Sequence, residues 1–140
     1  MYSVIVVGTD GSATADVALR HAVDLAIAND ARLHIVSSYQ PVSGHAGTAA
    51  EHWEILPDAG VDTVLAEAVA TARGRGVKAE IHATRDDPAD AIIKVAEEVN
   101  ADAVVVGNKG MKGAKRFLLG SVPNKVAHNA PCTVIIVKTT

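Results

Sequence analysis

The sequence is poor in aromatic residues: Phe, Trp and Tyr make up only 3% of its 140 residues. Its core must therefore be built from Val, Ile, Leu and Ala, and the stacking of several bases on aromatic side chains is disfavoured. The single cysteine, Cys132, excludes an internal disulfide and any zinc site made of several cysteines. We therefore expect the protein to work in a reducing compartment.

Long apolar runs are also missing. No stretch approaches the roughly 18–20 apolar residues that a membrane helix needs. The opening MYSVIVVG has neither a charged leader region nor a cleavage pattern. These features predict a cytoplasmic protein with no membrane partner. An overall charge of −3 and the lack of a recognisable motif disfavour nucleic-acid binding.

The charge is unevenly distributed along the chain. Residues 1–102 hold all 16 acidic residues and seven Lys or Arg, a balance of −9. Residues 103–140 hold six Lys or Arg and no acid, a balance of +6. This asymmetry predicts an anionic partner near the C-terminal third.

Five short apolar runs, rich in Val and Ile and mostly continuous, are typical of parallel strands buried on both faces. They are Tyr2–Val7, Leu33–Ser38, Val77–Ala83, Ala103–Val106 and Thr133–Val137. The segments between them carry apolar residues at helical spacing, apart from one long connection, Gln40–Pro57. The sequence therefore predicts a single doubly wound α/β domain over residues 1–140, a five-stranded parallel sheet with helices on both faces.

Turn residues place the helix ends. Asp87 followed by Pro88 predicts an N-cap and a first helical residue. Gly74 and Gly76 indicate the end of the second helix, and Pro131 the end of the last.

In open parallel sheets, ligands bind beyond the carboxyl ends of the strands, where the strand order reverses. The first strand is followed by Thr9-Asp10-Gly11-Ser12 and the fourth ends in Gly107-Asn108-Lys109-Gly110. We expect the ligand between these two loops.

The loop after the fourth strand combines features that favour phosphate. Gly107 and Gly110 let backbone amides approach an anion, and Gly120-Ser121 stands where a helix begins, with unpaired N–H groups. Four cations fall within this loop: Lys109, Lys112, Lys115 and Arg116. Neither GxxxxGK[ST] nor a GxGxxG after the first strand is present, so ordinary P-loop and dinucleotide sites are disfavoured.

This pattern resembles the ATP-binding branch of the universal stress proteins, whose signature is Gly-x2-Gly-x9-Gly-Ser/Thr. The match consists of Gly107, Gly110, Gly120 and Ser121. The resemblance covers essentially the whole chain, from VIVVGTDGS to NAPCTVIIVK. It implies a Rossmann-like fold of the adenine nucleotide alpha hydrolase type and a small ATP-binding regulatory module in the stress response.

The resemblance also implies roles for single residues. Thr9 and Asp10 would lie near the ribose, with Asp10 accepting its hydrogen bond or helping to hold Mg²⁺ or Mn²⁺. Backbone groups near Ser38 would meet the adenine. The remaining positions would surround the ribose and phosphates: Gly107, Asn108, Gly110, Gly120, Ser121 and Val122. Two structural alternatives remain, since Asp10 can be a turn residue and Ser121 a helix N-cap.

Catalytic chemistry is not evident. We expect all six histidines at surface or edge positions. His45 and His52 fall in the long loop, His21 and His128 on helices, and His34 and His82 on or beside strands. Cys132 reads as a small apolar residue. The sequence therefore argues against an efficient enzyme and allows at most slow ATP hydrolysis or self-phosphorylation.

Three alternatives to ATP-dependent regulation stay open: a weak ATPase using the same pocket, a protein that prefers cAMP, and a nucleotide-free dimeric scaffold whose glycines serve turns only. The resemblance implies a homodimer, and the apolar last strand, Thr133–Val137, predicts pairing through an open sheet edge. A downstream protein partner, unidentified, would read the nucleotide state.

Overall fold

The computed structural model describes residues 1–39, 59–109 and 119–139. Within these ranges strands and helices alternate in the predicted order. The elements are β1 (Val4–Gly8), α1 (Ala13–Asn29), β2 (Arg32–Ser38), α2 (Ala59–Gly74), β3 (Ala79–Thr84), α3 (Pro88–Glu98), β4 (Ala103–Gly107), α4 (Ser121–Asn129) and β5 (Thr133–Val137). The long connection predicted at Gln40–Pro57 lies outside the described residues.

Two strands begin later than their apolar runs. β1 starts at Val4 rather than Tyr2, and the preceding amides of Tyr2 and Ser3 donate to the side chains of Asn29 and Asp102, at 3.3 and 2.7 Å. β3 starts at Ala79 rather than Val77, because the Val77 N–H bonds to the Ala72 carbonyl and so closes the turn after α2. Local apolar character does not reveal these tertiary and turn contacts.

All five strands are parallel, in the order β3-β2-β1-β4-β5. The chain runs from β1 outward to β3 and then returns to place β4 on the other side of β1. The strand order therefore reverses between β1 and β4, where the carboxyl ends of neighbouring strands leave a crevice. The doubly wound α/β fold is confirmed.

Helices cover both faces of the sheet. Residues of α1 and α2 pack on the face that includes Ile5 and Val7, and residues of α3 and α4 pack on the face that includes Val6. Ile5, Val6 and Val7 are all 0% exposed, so the middle strand is buried on both sides. The prediction of burial on both faces is wrong for the two edge strands, because each has a neighbour on one side only: Ile81 on β3 is 45% exposed and Ile136 on β5 is 40% exposed.

The helix ends follow the predicted turn chemistry. The Asp87 side chain accepts hydrogen bonds from the amides of Ala89 and Asp90, and Pro88 is the first residue of α3. α2 ends at Gly74, and α4 ends just before Pro131. No helix in the described ranges has the length and apolar character needed to cross a membrane.

Candidate functional site at the carboxyl ends of β1 and β4

The loop after β1 is braced by its own side chains. Thr9 is buried, and its N–H donates to the Val36 carbonyl at 2.9 Å while its Oγ1 accepts from the Gly11 N–H at 3.2 Å. Asp10 Oδ1 accepts from the Ser12 N–H at 2.9 Å. These bonds hold the Asp10 carboxylate exposed at the start of α1, so its turn-forming role is present in the structure.

Ser12 begins α1. Its Oγ accepts the Ala15 N–H at 3.1 Å, which is the bond of a helix N-cap. The hydroxyl is thus engaged as an acceptor at the start of α1.

Gly11 allows α2 to approach this loop. Its φ of +82° is a conformation that favours glycine, and a Cβ added there would lie 2.6 Å from Val64 Cγ2. A side chain at this position would therefore be strained and would collide with α2.

Asn108 joins three segments at the end of β4. Its N–H donates to the Val137 carbonyl at 2.9 Å, and its own carbonyl accepts the Gly120 N–H at 3.0 Å. Its side-chain Oδ1 accepts from both the N–H and the hydroxyl of Thr139, at 2.8 and 2.9 Å. The two bends predicted from the glycine spacing, at Gly107-Asn108 and at Gly120-Ser121, are therefore in direct contact.

The start of α4 differs in one detail from the sequence-based alternatives. The N-cap is Gly120, in extended conformation with no side-chain cap, so the interpretation of Ser121 as N-cap is wrong. The backbone places Ser121 one residue further on, as the exposed first residue of the helix. The amides of Ser121 and Val122 make no hydrogen bond to another described residue. Two N–H groups therefore remain at the positive end of the helix dipole.

A small cavity lies between these elements. Its volume is about 20 Å³, which is room for a water molecule rather than a nucleotide. A Cβ on Gly107 would come within 3.1 Å of Thr139 Cγ2, so the glycine keeps this region open. The lining residues are Gly8, Thr14, Ala15, Val106, Gly107, Lys109, Val122, Pro123 and Thr139.

The two threonines in the cavity lining, Thr14 and Thr139, were not expected from the sequence. Thr139 follows the last strand and belongs to no motif, and Thr14 lies in the first turn of α1. For Thr14, the one available signal was the position of Gly8-Thr9 at the crevice, because α1 begins shortly after these residues.

Ser38 lies at the same carboxyl edge of the sheet. It is the half-buried last residue of β2 and pairs in register with Thr84 of β3. The Tyr39 N–H donates to the Thr84 carbonyl at 2.8 Å, whereas the Thr84 hydroxyl is buried and has no hydrogen-bond partner within residues 1–39, 59–109 and 119–139. Thr84 is therefore a further polar residue at this edge that the sequence did not indicate.

Part of the positive charge predicted near the C-terminal third is paired. Lys125 on α4 lies 2.8 Å from Asp90 and 3.6 Å from Asp87 at the start of α3. The hydrogen bond that Lys125 donates to Asp90, followed by the charges of Asp90 and Asp87, raises the pKa of Lys125. Gly110, Lys112, Lys115 and Arg116 lie outside the described residues.

Cys132 behaves as an apolar residue. It packs beside the core on the α3 and α4 side, and burial, with a smaller contribution from the charge of Asp102, raises the pKa of its thiol. The reactive thiolate form is therefore disfavoured at neutral pH.

The fold and crevice define a class: a doubly wound α/β protein with backbone amides at its switch point. The Universal stress protein family matches this chain over residues 1–138. A universal stress protein of Mycobacterium tuberculosis is 38% identical over 144 residues, covering 99% of this chain and 98% of the relative. One from Methanocaldococcus jannaschii is 36% identical over 143 residues, covering 99% and 83%. This chain belongs to the universal stress protein family.

Solved structures agree with this assignment. A universal stress protein in complex with cAMP is 36% identical, with a TM-score of 0.77 and 99% of each chain covered. A universal stress protein from Archaeoglobus fulgidus in complex with dAMP is 27% identical, with a TM-score of 0.69 and 98% of each chain covered.

Proposed function

We infer that this protein binds an adenine nucleotide, ATP, across the carboxyl ends of β1 and β4, and acts as a regulatory module in the stress response. The main support is the hydrogen bond between the Asn108 carbonyl and the Gly120 N–H. It holds the start of α4 beside the end of β4, where the Ser121 and Val122 amides make no hydrogen bond to another described residue. Such amides, together with the helix dipole, favour phosphate oxygens.

The solved relatives support an adenine nucleotide as the ligand class, because one is in complex with cAMP and another with dAMP. The described residues beside Gly107 enclose only about 20 Å³, and the phosphates would lie across the mouth of this cavity. There they meet the bare backbone of Gly107 and Gly120.

The residues divide by position. Thr9 and the exposed carboxylate of Asp10 would face the ribose or a nucleotide-bound Mg²⁺ or Mn²⁺, and backbone groups at Ser38 would meet the adenine. Asp10 fits this role because only its Oδ1 accepts a hydrogen bond from a described residue, the Ser12 N–H. Its Oδ2 is therefore available to the ribose or to the metal ion. The phosphate set would be Gly107, Asn108, Gly110, Gly120, Ser121 and Val122.

Binding tests the assignment directly. Mass analysis of small molecules released from freshly purified, denatured protein should identify ATP. We expect micromolar affinity, on the order of 8 kcal/mol. Gly110→Val should abolish ATP binding and leave the circular dichroism spectrum unchanged, because a branched side chain would block the phosphates. Gly74→Val is the matched control, since an added Cβ there meets nothing within 4 Å. Equal ATP affinity in the Gly110 variant and the parent would refute the loop assignment.

Preference for cAMP is a second candidate, favoured by the 36% identical relative in complex with that nucleotide. ATP can use the amides of both Ser121 and Val122, whereas a cyclic monophosphate carries a single phosphate. Competition titration distinguishes the two candidates. We expect ATP to displace cAMP at a lower concentration than cAMP needs to displace ATP, and the opposite result would show that the protein prefers cAMP.

We also propose a cytoplasmic homodimer that pairs through β5 and presents its nucleotide state to a downstream protein. β5 lies at an open edge, and its Ile136 is 40% exposed. Analytical ultracentrifugation should give a dimer mass at micromolar concentration, and Ile136→Lys should shift it toward the monomer. A monomeric parent protein would contradict this proposal.

A further inference from the structure

Two histidines and a glutamate meet on the strand pair β2–β3, away from the candidate nucleotide site. His34 Nδ1 lies 2.9 Å from His82 Nε2 and 3.5 Å from Glu80 Oε2. All three potential ligand atoms lie within 4.8 Å of one another. Their positions on or beside strands predict a surface or edge location for both histidines, but His34 is buried, at 6% exposure, because β2 lies inside the sheet.

Strand register explains why these residues converge. His34 pairs with Glu80 across the two parallel strands, and Val36 pairs with His82. Because side chains alternate along a strand, Glu80 and His82 project from the same face of β3 as His34 does from β2. The backbone therefore holds all three side chains on one face, independently of any loop.

The spacing suits a tetrahedral metal ion. Bonds of about 2.0–2.1 Å to His nitrogen and carboxylate oxygen place neighbouring ligand atoms about 3.3 Å apart. The two distances from His34 Nδ1, 2.9 and 3.5 Å, fall on either side of that value. The third pair of ligand atoms, from His82 and Glu80, lies within 4.8 Å, and side-chain rotation would bring it to the spacing that a shared ion needs.

The metal-free cluster contains one hydrogen bond. His34 Nδ1 carries at most one hydrogen, so it pairs with His82 Nε2 at 2.9 Å, and Glu80 Oε2 lies further away at 3.5 Å.

We propose that His34, His82 and Glu80 form a binding site for a late first-row divalent cation, of which Zn²⁺ is the natural probe. Two imidazoles and a carboxylate are borderline ligands that suit Zn²⁺, Co²⁺ and Ni²⁺, whereas Mg²⁺ and Ca²⁺ prefer oxygen ligands only. Glu80 is exposed and His82 half-buried, which leaves a fourth position open to water.

Binding of the metal ion requires a change of histidine tautomer, but no covalent bond between heavy atoms forms or breaks within the protein. In the metal-free pair, one of the facing nitrogens donates its hydrogen to the lone pair of the other. In the metal complex both facing nitrogens offer lone pairs, so the donor ring carries its proton on its other nitrogen. The ion would then join the edge strand β3 to β2.

The test uses the full chain, freed of metal by a chelator and without nucleotide. Zn²⁺ titration by calorimetry should give one ion per chain, and Co²⁺ should produce the visible absorption of a tetrahedral site. His82→Ala should weaken Zn²⁺ binding by at least about 100-fold, since loss of an outer-shell partner alone costs up to that factor. Glu80→Gln, at an exposed position, provides a second variant that should fold normally and also bind more weakly.

Histidines elsewhere provide the controls. His21→Ala, on the exposed face of α1, should leave Zn²⁺ affinity unchanged. The double variant His45→Ala/His52→Ala tests the histidines outside the described residues and should also bind normally. Absence of Zn²⁺ binding in the parent, unchanged binding in both the His82 and Glu80 variants, or a loss confined to the double variant would overturn the proposal.

Discussion

The side-chain oxygen of Asn108 accepts hydrogen bonds from both the backbone N–H and the hydroxyl of Thr139, at 2.8 and 2.9 Å. These bonds attach the segment after β5 to the end of β4. The same threonine lies against Gly107, whose missing side chain makes room for it. The position of the Gly107-Asn108 bend is therefore set by a residue far away in the sequence.

Asn108→Ala should lower the free energy of unfolding by about 1–2 kcal/mol, because two hydrogen bonds to a half-buried acceptor are lost. It should also weaken ATP binding, since the bend is no longer held. Urea denaturation and calorimetric titration measure the two effects. Thr139→Val is the matched control: it removes only the hydroxyl donor and should cost less. Equal stability of Asn108→Ala and the parent would show that this contact does not hold the bend.

Gly11→Ala should destabilise the protein by about 2–4 kcal/mol, through positive-φ strain and collision with Val64 on α2. Gly76→Ala separates the two causes, since Gly76 has φ +85° but an added Cβ meets nothing within 4 Å. We expect a loss of about 1–2 kcal/mol there, from strain alone.

Urea denaturation of both glycine variants gives the comparison. Adding Val64→Ala to Gly11→Ala should recover part of the loss, because the collision partner is removed. Equal losses in the two single variants would mean that the approach of α2 to the β1 loop has no energetic consequence.

Ser121→Asp should separate helix stability from ligand binding. A carboxylate at the exposed start of α4 interacts favourably with the helix dipole and should raise the free energy of unfolding by about 0.3–1 kcal/mol. The same charge repels phosphate, and a like charge at about 4 Å costs about 1–4 kcal/mol, so ATP affinity should fall at least about fivefold.

Thermal denaturation and ATP titration of Ser121→Asp report the two effects, with Ser121→Ala as the control that removes only the hydroxyl. A stabilised variant that still binds ATP with the parent's affinity would place the phosphates away from this helix.

Asp102 should make stability depend on pH at the acid end. Hydrogen bonds from the Ser3 and Val4 amides lower the pKa of Asp102 below its ordinary value of 3.8. In the pH interval between the folded and unfolded pKa values, the unfolded chain binds more protons, so stability rises with pH. The contribution is therefore fully present above pH 3.8 and is lost as the pH falls through the lower, folded value.

Asp102→Asn keeps an acceptor for both amides but cannot titrate. Urea midpoints of the parent and the variant, measured along an acid series, should differ most above pH 3.8 and converge below it. A constant difference across the series would show that ionisation of Asp102 does not contribute to stability.

Much of the fold could be predicted because its signals are local. Continuous Val and Ile runs indicated buried parallel strands, and Asp87-Pro88 indicated the start of α3. The switch point between β1 and β4 followed from the element order combined with general rules for parallel sheets. The binding roles of the site residues remain predictions, since they concern a ligand.

The sequence by itself determined the order of the elements, the burial of the three inner strands, and the two bends at Gly107 and Gly120, because periodicity and turn chemistry act between near neighbours. Only the tertiary structure decided that Gly120 caps α4, that Thr139 packs on Gly107, and that His34 meets His82. These contacts depend on strand register and on chain ends brought together by packing. No local pattern encodes which distant residues will face each other.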